Sequence, residues 1–170
     1  MLSWLTQRMG FEAPATATKL EQAVRAHLTG ADDETMKIVV SVAGLLGTVA
    51  YADREYSTIE EERIRTELGR VAGLTRAGVD AICSVLREHI VTVATVEAPI
   101  YARELRELAD RDLRLQVLDT LVDLAAADDD VTIAETNLLR TLSPSLGLSQ
   151  ADYNASQARH RDKLRVLKKA

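Results

Sequence analysis

A chain of 170 residues, 46% of them hydrophobic and 28% charged, has enough apolar side chains for one soluble domain with a substantial core. Its net charge of −5 argues against a general nucleic-acid-binding protein, because such proteins present an excess of basic residues to phosphates. The single cysteine, Cys83, excludes an internal disulfide and is expected to be a small core residue in a reducing compartment.

No apolar run in the sequence approaches about 18 residues, the length of a membrane span. Residues 1–5 lack the basic region and the long apolar core of a signal peptide, so we expect a cytoplasmic protein. Aromatic residues make up only 4% of the chain, whereas Ala, Leu, Glu and Arg are plentiful. Because these residues favour helix over sheet, the composition predicts an all-α protein, a bundle of seven to eight helices.

The first 33 residues are predicted to form an N-terminal helical extension and linker. Residues 2–11 are a short amphipathic piece that we expect to dock on the bundle, and residues 13–18 are a small, flexible linker. Residues 19–28 then have the pattern of a helix, which Gly30 stops.

The bundle is predicted to span residues 34–168 and to begin with a buried helix over residues 34–52. Apolar side chains recur in this helix with the 3.6-residue period of one helical face. Gly44 and Gly47 in its middle indicate that a neighbouring helix approaches closely.

The next helix is predicted for residues 58–72, ending before Gly73. We expect Ile59 and Ile64 to point inward and Glu61 to point outward, as the polarity of these side chains indicates.

Thr75 is predicted to cap a helix that runs to about residue 93. Residues 90–96 are rich in Ile, Val and Thr, which are typical of a strand. A lone strand would have no pairing partner, so we interpret this stretch as a helix end followed by a connector. Pro99 then lies near the start of a short helix that ends at residue 109.

Asp110 is predicted to cap a helix over residues 111–127. A further helix is expected at residues 133–146, with Pro144 as a break in its last turn. Ser149 has the position of a cap for the last helix, which runs into a basic C-terminal end.

One stretch of the sequence occurs twice. Residues 127–135, Ala-Asp-Asp-Asp-Val-Thr-Ile-Ala-Glu, match residues 52–60, Ala-Asp-Arg-Glu-Tyr-Ser-Thr-Ile-Glu, in the positions of Ala, Asp, a second acid, Ser or Thr, and Glu. Each stretch follows an apolar helix, and a Gly-Leu-(Ser/Thr) sequence comes after each. The pattern predicts an internal duplication of a helix–acidic turn–helix unit, with repeats at about residues 42–74 and 117–149.

Asp128, Asp129 and Asp130 are expected at the C-terminal end of an apolar helix. The helix dipole is negative there, so each carboxylate is unfavourable by roughly 0.3–1 kcal/mol. A hard cation such as calcium or magnesium would offset this repulsion, because carboxylates and unpaired helix-end carbonyls are its preferred ligands. The alternative is a solvated polar turn, in which aspartate is common without any metal.

Glu60 and Glu135 each lie three residues after a Ser or Thr that has the position of a helix cap. This is the capping-box arrangement, in which the glutamate accepts a hydrogen bond from the cap backbone. Capping is sufficient to explain both residues, and the hypothesis that the same carboxylates face a bound ion stays open.

Consecutive helices joined by short loops alternate in direction, so the two acidic turns are predicted to share one end of the bundle. Residues 110–135 are strongly acidic, whereas residues 159–170 are strongly basic. The basic end either complements and solvates a helix C-terminus or forms a patch for a phosphate or a partner.

Other kinds of site find little support. His27, His89 and His160 are isolated and have no Cys or His at zinc-binding spacing. The acidic turns are not EF-hands, because Ile133 stands where the turn glycine belongs and Leu139 where the bidentate glutamate belongs. With no glycine-rich phosphate loop and no activated nucleophile in view, we expect a protein that is not an enzyme.

Two copies of the Ala-Asp-x-acid-x-(Ser/Thr)-x-x-Glu turn, each between helices and each followed by Gly-Leu-(Ser/Thr), resemble the TerB family of tellurite-resistance-associated proteins. The resemblance covers roughly residues 34–163. It implies an all-helical bundle with acidic, metal-binding positions. It also implies a stress-response component that docks a partner at a membrane-associated complex, peripheral to the inner membrane, rather than a known enzyme.

Carried over residue by residue, the acidic positions of the family fall on Asp53, Glu55 and Glu60 in the first repeat and on Asp128, Asp130 and Glu135 in the second. The family usually has Gly after the first Asp, where this chain has Arg54 and Asp129. This departure suggests an altered turn, and Arg54 brings a cation that competes with a metal ion.

Two hypotheses of function therefore remain. In the first, the acidic face binds a divalent metal ion, chiefly through Asp128 and Asp130, and another surface binds a protein partner. In the second, the bundle is a purely structural protein–protein interaction module and the acids are solubilising turns. Under either hypothesis we expect the following side chains to be buried: Leu46, Val49, Ile64, Leu121, Leu124 and Leu139.

Overall fold

The computed structural model describes residues 15–127 and 130–160. Within these ranges the chain forms the helices α1 (Ala15–His27), α2 (Asp33–Ala50), α3 (Thr58–Leu68), α4 (Arg76–Thr92), α5 (Ala98–Leu108), α6 (Arg111–Ala125), α7 (Ile133–Ser145) and α8 (Gln150–Ala158). A π-helical segment, Val93–Glu97, joins α4 to α5. The prediction of an all-α bundle is confirmed, and none of the described helices is long and apolar enough to cross a membrane.

The helix starts follow from local chemistry. Six helices begin after a residue whose side chain accepts a hydrogen bond from the backbone N–H three residues later, which satisfies one of the N–H groups that a helix start leaves without a partner. These residues are Asp32, Ser57, Thr75, Asp110, Thr132 and Ser149. The predicted caps at Thr75, Asp110 and Ser149 are confirmed.

The N-terminal helix belongs to the same core as the rest of the bundle. Leu20, Val24 and Leu28 are buried, and α1 packs against α2 and α4. The flexible linker predicted for residues 13–18 is wrong from Ala15 onward, because the strong helix former Ala allows α1 to begin there. The amphipathic piece predicted for residues 2–11 lies outside the described residues, and the domain boundary at residue 33 stays a prediction.

Helix α3 differs from its predicted orientation. Ile59 is 62% exposed, whereas Glu61 is only 7% exposed, the reverse of the expectation drawn from their polarity. Residues three and four apart share one face of a helix, and Glu61 therefore faces inward together with the buried Ile64 and Leu68. A glutamate can occupy this face because two arginines bind it, as described below.

Of the strand-like residues 90–96, the first three end a helix, as predicted, whereas the stretch predicted to be a connector is itself π-helical. Helix α4 continues to Thr92 through one non-helical residue, His89, with φ −123° and ψ 18°. The π-helical segment that follows buries Val93 and Glu97 and leads directly into α5, which has Pro99 in its first turn.

Helix α2 runs through the middle of the bundle and packs against α1, α3, α5 and α6. A Cβ atom on Gly44 would overlap the ring of Tyr101 in α5, and one on Gly47 would lie 2.9 Å from Leu86 Cδ2 in α4. The close helix approach predicted from the two glycines is therefore confirmed. All six side chains predicted to be buried lie in the core, as does Cys83.

The two repeats have matching local geometry. The last turns of α2 and α6 close with equivalent hydrogen bonds, from Tyr51 N to Gly47 O (3.0 Å) and from Ala126 N to Val122 O (2.9 Å). Helices α3 and α7 then begin with the same kind of cap. The turn after each helix contains a glycine in the left-handed region: Gly73, with φ +83°, lies five residues after the end of α3, and Gly147, with φ +70°, lies two residues after the end of α7.

Candidate functional site

The first acidic turn is exposed and is organised by its own backbone. Asp53 Oδ1 accepts a hydrogen bond of 3.0 Å from the N–H of Glu55, two residues later. Between them, Arg54 adopts the left-handed conformation, with φ +70°. Glycine adopts this conformation most readily, so the turn keeps a glycine-like backbone although an arginine stands in it. The turn thus departs from the family pattern in its side chain and its charge, whereas its backbone keeps the conformation that glycine favours.

Glu60 and Glu135 both complete capping boxes. Glu60 Oε2 accepts from Ser57 N at 2.8 Å, and Glu135 Oε2 accepts from Thr132 N at 2.7 Å. In return, the Thr132 hydroxyl oxygen accepts from Glu135 N at 3.2 Å and also donates to Glu135 Oε2 at 2.9 Å. One oxygen of each carboxylate therefore holds the start of α3 or α7.

In the second acidic turn, Asp130 is described, whereas Asp128 and Asp129 lie outside the described residues. Asp130 is followed by the buried Val131, which anchors the end of the turn in the core. Within residues 15–127 and 130–160, no three side chains of the types His, Cys, Asp or Glu are grouped so that they could hold a metal ion. Asp53, Glu55 and Glu60 of the first turn are all described, and they are not brought together in such a group.

The first turn and the second repeat line a common cavity. Tyr51, Ala52 and Arg54 line a small cavity of about 150 Å³ together with residues of the π-helical segment and Leu138 of α7. Helix α7 is the helix that starts after the second acidic turn. The first turn and the helix that follows the second turn thus face the same cavity.

Sequence reasoning missed an ionic cluster between α3 and α4. The buried Glu61 accepts hydrogen bonds from Arg65 Nη2 (3.0 Å, to Oε1) and from Arg87 Nε (2.9 Å, to Oε2), and Arg65 also pairs with Asp80. Burial by itself would raise the pKa of Glu61, but the hydrogen bonds and charges of Arg87 and Arg65 outweigh burial and lower it. The spacing of Glu61, three residues before the apolar Ile64, was the signal for its inward position.

A cleft of about 670 Å³ lies beside this cluster. Its wall includes Glu61, Arg65 and Asp80, whose charges bind one another. The arrangement joins two helices and neutralises its own charge, so it has the character of a structural link rather than of a binding site.

A second buried polar pair, Glu97 and Tyr101, was also missed. The Tyr101 hydroxyl donates a 2.6 Å hydrogen bond to Glu97 Oε2, and both side chains are almost fully buried. Glu97 Oε1 has no hydrogen-bond partner among the described residues. Burial raises the pKa of Tyr101, and the hydrogen bond to Glu97 raises it further. The signal was the spacing of four residues, which places both side chains on one helical face.

Most of the chain matches a known protein family. The family model described as tellurite resistance protein TerB matches residues 39–158. No curated protein and no solved structure matches the chain. The matched range extends from within α2 to the end of α8, and it includes both acidic turns and the capping boxes at Ser57 and Thr132. It covers well over half of the chain. The protein therefore belongs to the TerB family.

Proposed function

We propose that this TerB-family protein is a non-enzymatic stress-response component that binds a divalent cation, calcium or magnesium, at its second acidic turn and docks a protein partner. The observation that carries the proposal is the run Asp128, Asp129 and Asp130, which follows the C-terminal end of α6 at Ala125. Like charges repel one another there, next to the negative end of the helix dipole. A divalent cation would relieve both effects.

The second turn has more to gain from a cation than the first. In the first turn, Arg54 supplies a positive charge and Asp53 already accepts a backbone hydrogen bond. In the second turn an aspartate, Asp129, takes the place of the arginine. We therefore assign the principal ligands to Asp128 and Asp130 and a subsidiary role to Asp53 and Glu55.

Glu60 and Glu135 contribute chiefly as helix caps. Each has one carboxylate oxygen bound to the backbone of the cap residue. A cation at either turn would lie next to a carboxylate that holds the start of α3 or α7, which would link ion binding to the position of that helix.

Two exposed isoleucines support the docking of a protein partner. Ile59 and Ile133 stand at the first or second residue of α3 and α7, directly after the two acidic turns, and both are more than half exposed. A partner that covers these side chains would remove their apolar surface from water, which favours binding. The family implies a partner within a membrane-associated complex.

The second candidate function is a purely structural interaction module. It is favoured by the two capping boxes, which are complete without a metal ion. In this case the aspartates keep the turns solvated, and the isoleucines alone define the docking surface.

Calcium-dependent melting of the parent and two variants separates the two candidates. A ligand that binds only the native state raises its melting temperature, so the parent should melt higher in millimolar calcium. The variant D128N/D130N should lose most of this rise, and it should be as stable as the parent, or slightly more stable, without calcium. The matched control D53N/E55Q should keep most of the rise. If the parent shows neither heat of binding nor a shift in melting, the structural module is the function.

A further inference from the structure

Two arginine side chains meet at the turn that follows α7. A Cβ atom on Gly147, in this turn, would lie 2.5 Å from Arg114 Nη1 of α6 and 3.3 Å from Arg106 Nε of α5. Because both atoms belong to guanidinium groups, the two positive charges lie next to each other. The space that a side chain at position 147 would fill is where they converge.

The backbone fixes the position of Arg114. Its Nη1 donates to Leu146 O at 2.8 Å and to Gly147 O at 3.4 Å, and its Nε donates to Asp110 O at 3.3 Å. All three acceptors are backbone carbonyls, so they hold the guanidinium group without cancelling its charge. This side chain is therefore already ordered before any ligand binds, which lowers the entropic cost of binding.

Helix capping explains Arg114 but leaves Arg106 unexplained. A cation beside the last carbonyls of a helix is favourable, and Arg114 occupies that position after α7. Arg106 is exposed and makes no hydrogen bond to a described residue. Within the described part of the chain, no carboxylate forms an ion pair with either arginine. The two like charges therefore repel each other, and a bound anion would relieve that repulsion.

The arginine pair matches a phosphate group in charge and in hydrogen-bond donors. Nη2 of Arg114 and every N–H group of Arg106 have no acceptor among the described residues. A phosphate monoester has a charge of about −1.5 to −2 at pH 7 and three strong acceptor oxygens. A carboxylate has a single charge and two oxygens in one plane, which one guanidinium satisfies. We propose that Arg106 and Arg114 bind a phosphate monoester group beside Gly147.

This phosphate site is separate from the cation site of the proposed function. The second acidic turn precedes Ile133, the first residue of α7, whereas Gly147 follows Ser145, the last one. A helix of 13 residues is about 20 Å long. Phosphate binding therefore does not depend on whether the acidic turn binds calcium.

NMR titration with inorganic phosphate tests the site. At about pH 7.5, where phosphate is mainly a dianion, and at constant ionic strength, the amide signals of Gly147 and Leu148 should shift to saturation as phosphate replaces chloride. The variant R106Q should bind at least about tenfold more weakly, because it loses hydrogen bonds between charged groups. The control R76Q removes an exposed arginine from α4 and should bind like the parent.

Two further comparisons test the assigned chemistry. The variant R106K keeps the charge but loses the planar arrangement of donors, so it should bind more tightly than R106Q and more weakly than the parent. Acetate at the same ionic strength should bind more weakly than phosphate. Because Arg106 is exposed and makes no hydrogen bond to a described residue, both variants should melt like the parent.

No saturable shift in the parent, or equal binding by R106Q, would overturn the proposal. Acetate that binds as tightly as phosphate would overturn the assignment to phosphate. O-phosphoserine and a phosphoserine peptide flanked by alanines identify the source of the group. Equal affinity for the two indicates that the phosphate group alone is recognised, whereas tighter binding of the peptide indicates a phosphorylated segment of a protein.

Discussion

Gly44 of α2 and Tyr101 of α5 lie so close together that a Cβ atom on the glycine would overlap the tyrosine ring. Tyr101 is 1% exposed and its hydroxyl is bound to Glu97, so the ring has no free space into which it can move. The distance between α2 and α5 therefore depends on the absence of a side chain at position 44.

We expect G44A to lower the free energy of unfolding by about 1–3 kcal/mol, the usual cost of overpacking a core. Urea denaturation followed by circular dichroism measures this loss. The control is G69A, because Gly69 ends α3 with helical dihedral angles and a Cβ atom there would meet only backbone oxygens of its own helix. G69A should lose less stability than G44A, because its Cβ atom would come within 3.2 Å of Arg65 O without overlap and alanine reduces the freedom of the unfolded chain. Equal losses in the two variants would show that the contact with Tyr101 is not the cause.

Two buried tyrosine hydroxyls give opposite expectations. Y101F removes the donor bound to Glu97 and leaves that buried carboxylate without its hydrogen bond, which should cost about 1–3 kcal/mol. Y56F removes a buried hydroxyl that has no hydrogen-bond partner among the described residues, so it should be neutral or stabilising. Denaturant melts of both variants at pH 7 provide the comparison. A greater loss in Y56F than in Y101F would contradict this account of the buried pair.

The ion pairs of Glu61 predict a dependence of stability on pH. The pKa of Glu61 is lowered in the folded state, so its contribution is fully present above the unfolded pKa of about 4.3 and is lost as the pH falls through the folded pKa. The parent should therefore be more stable than E61Q at pH 7, and the difference should shrink below about pH 4. Melting curves from pH 7 to pH 3 test this. E107Q, at an exposed position on α5, should follow the parent throughout.

These cases show what sequence patterns predict well here. Helix starts depend on residues three apart in the chain, and Thr75, Asp110 and Ser149 were recognisable as caps for that reason. The turn glycines and the buried apolar positions were recognisable from local spacing alone.

The spacing of Glu61 and Glu97 carried a signal, but it was not sufficient to predict their burial, because that burial depends on partners brought by the fold. Arg87 reaches Glu61 from the next helix, and the π-helical segment turns Glu97 into the core. Polarity by itself indicates a solvent-facing position for both glutamates. For the candidate metal site, the sequence predicted which acids are present, whereas the conformation of the first turn depends on backbone contacts such as that between Asp53 and Glu55.

Substitutions at Arg54 test the backbone of the first acidic turn. A φ of +70° destabilises the folded state by about 1–2 kcal/mol for a residue with a side chain, and glycine avoids this destabilisation. Glycine also has greater freedom in the unfolded state, which offsets part of the gain. R54G should therefore be more stable than R54A by about 0.5–1 kcal/mol. Both variants remove the same positive charge, so the charge cancels in the comparison. Thermal melts in the absence of calcium measure it, and a more stable R54A would contradict the left-handed conformation.

The burial of Cys83 gives the chain a built-in reporter of its own opening. Cys83 is the single cysteine and is fully buried in α4, where burial raises the pKa of its thiol to about 11. The reactive thiolate is therefore scarce at neutral pH as long as the helices stay packed. A thiol reagent would label the protein only during the moments when α4 separates from its neighbours. The labelling rate would therefore measure how often α4 opens in the native protein, without any substitution or attached dye.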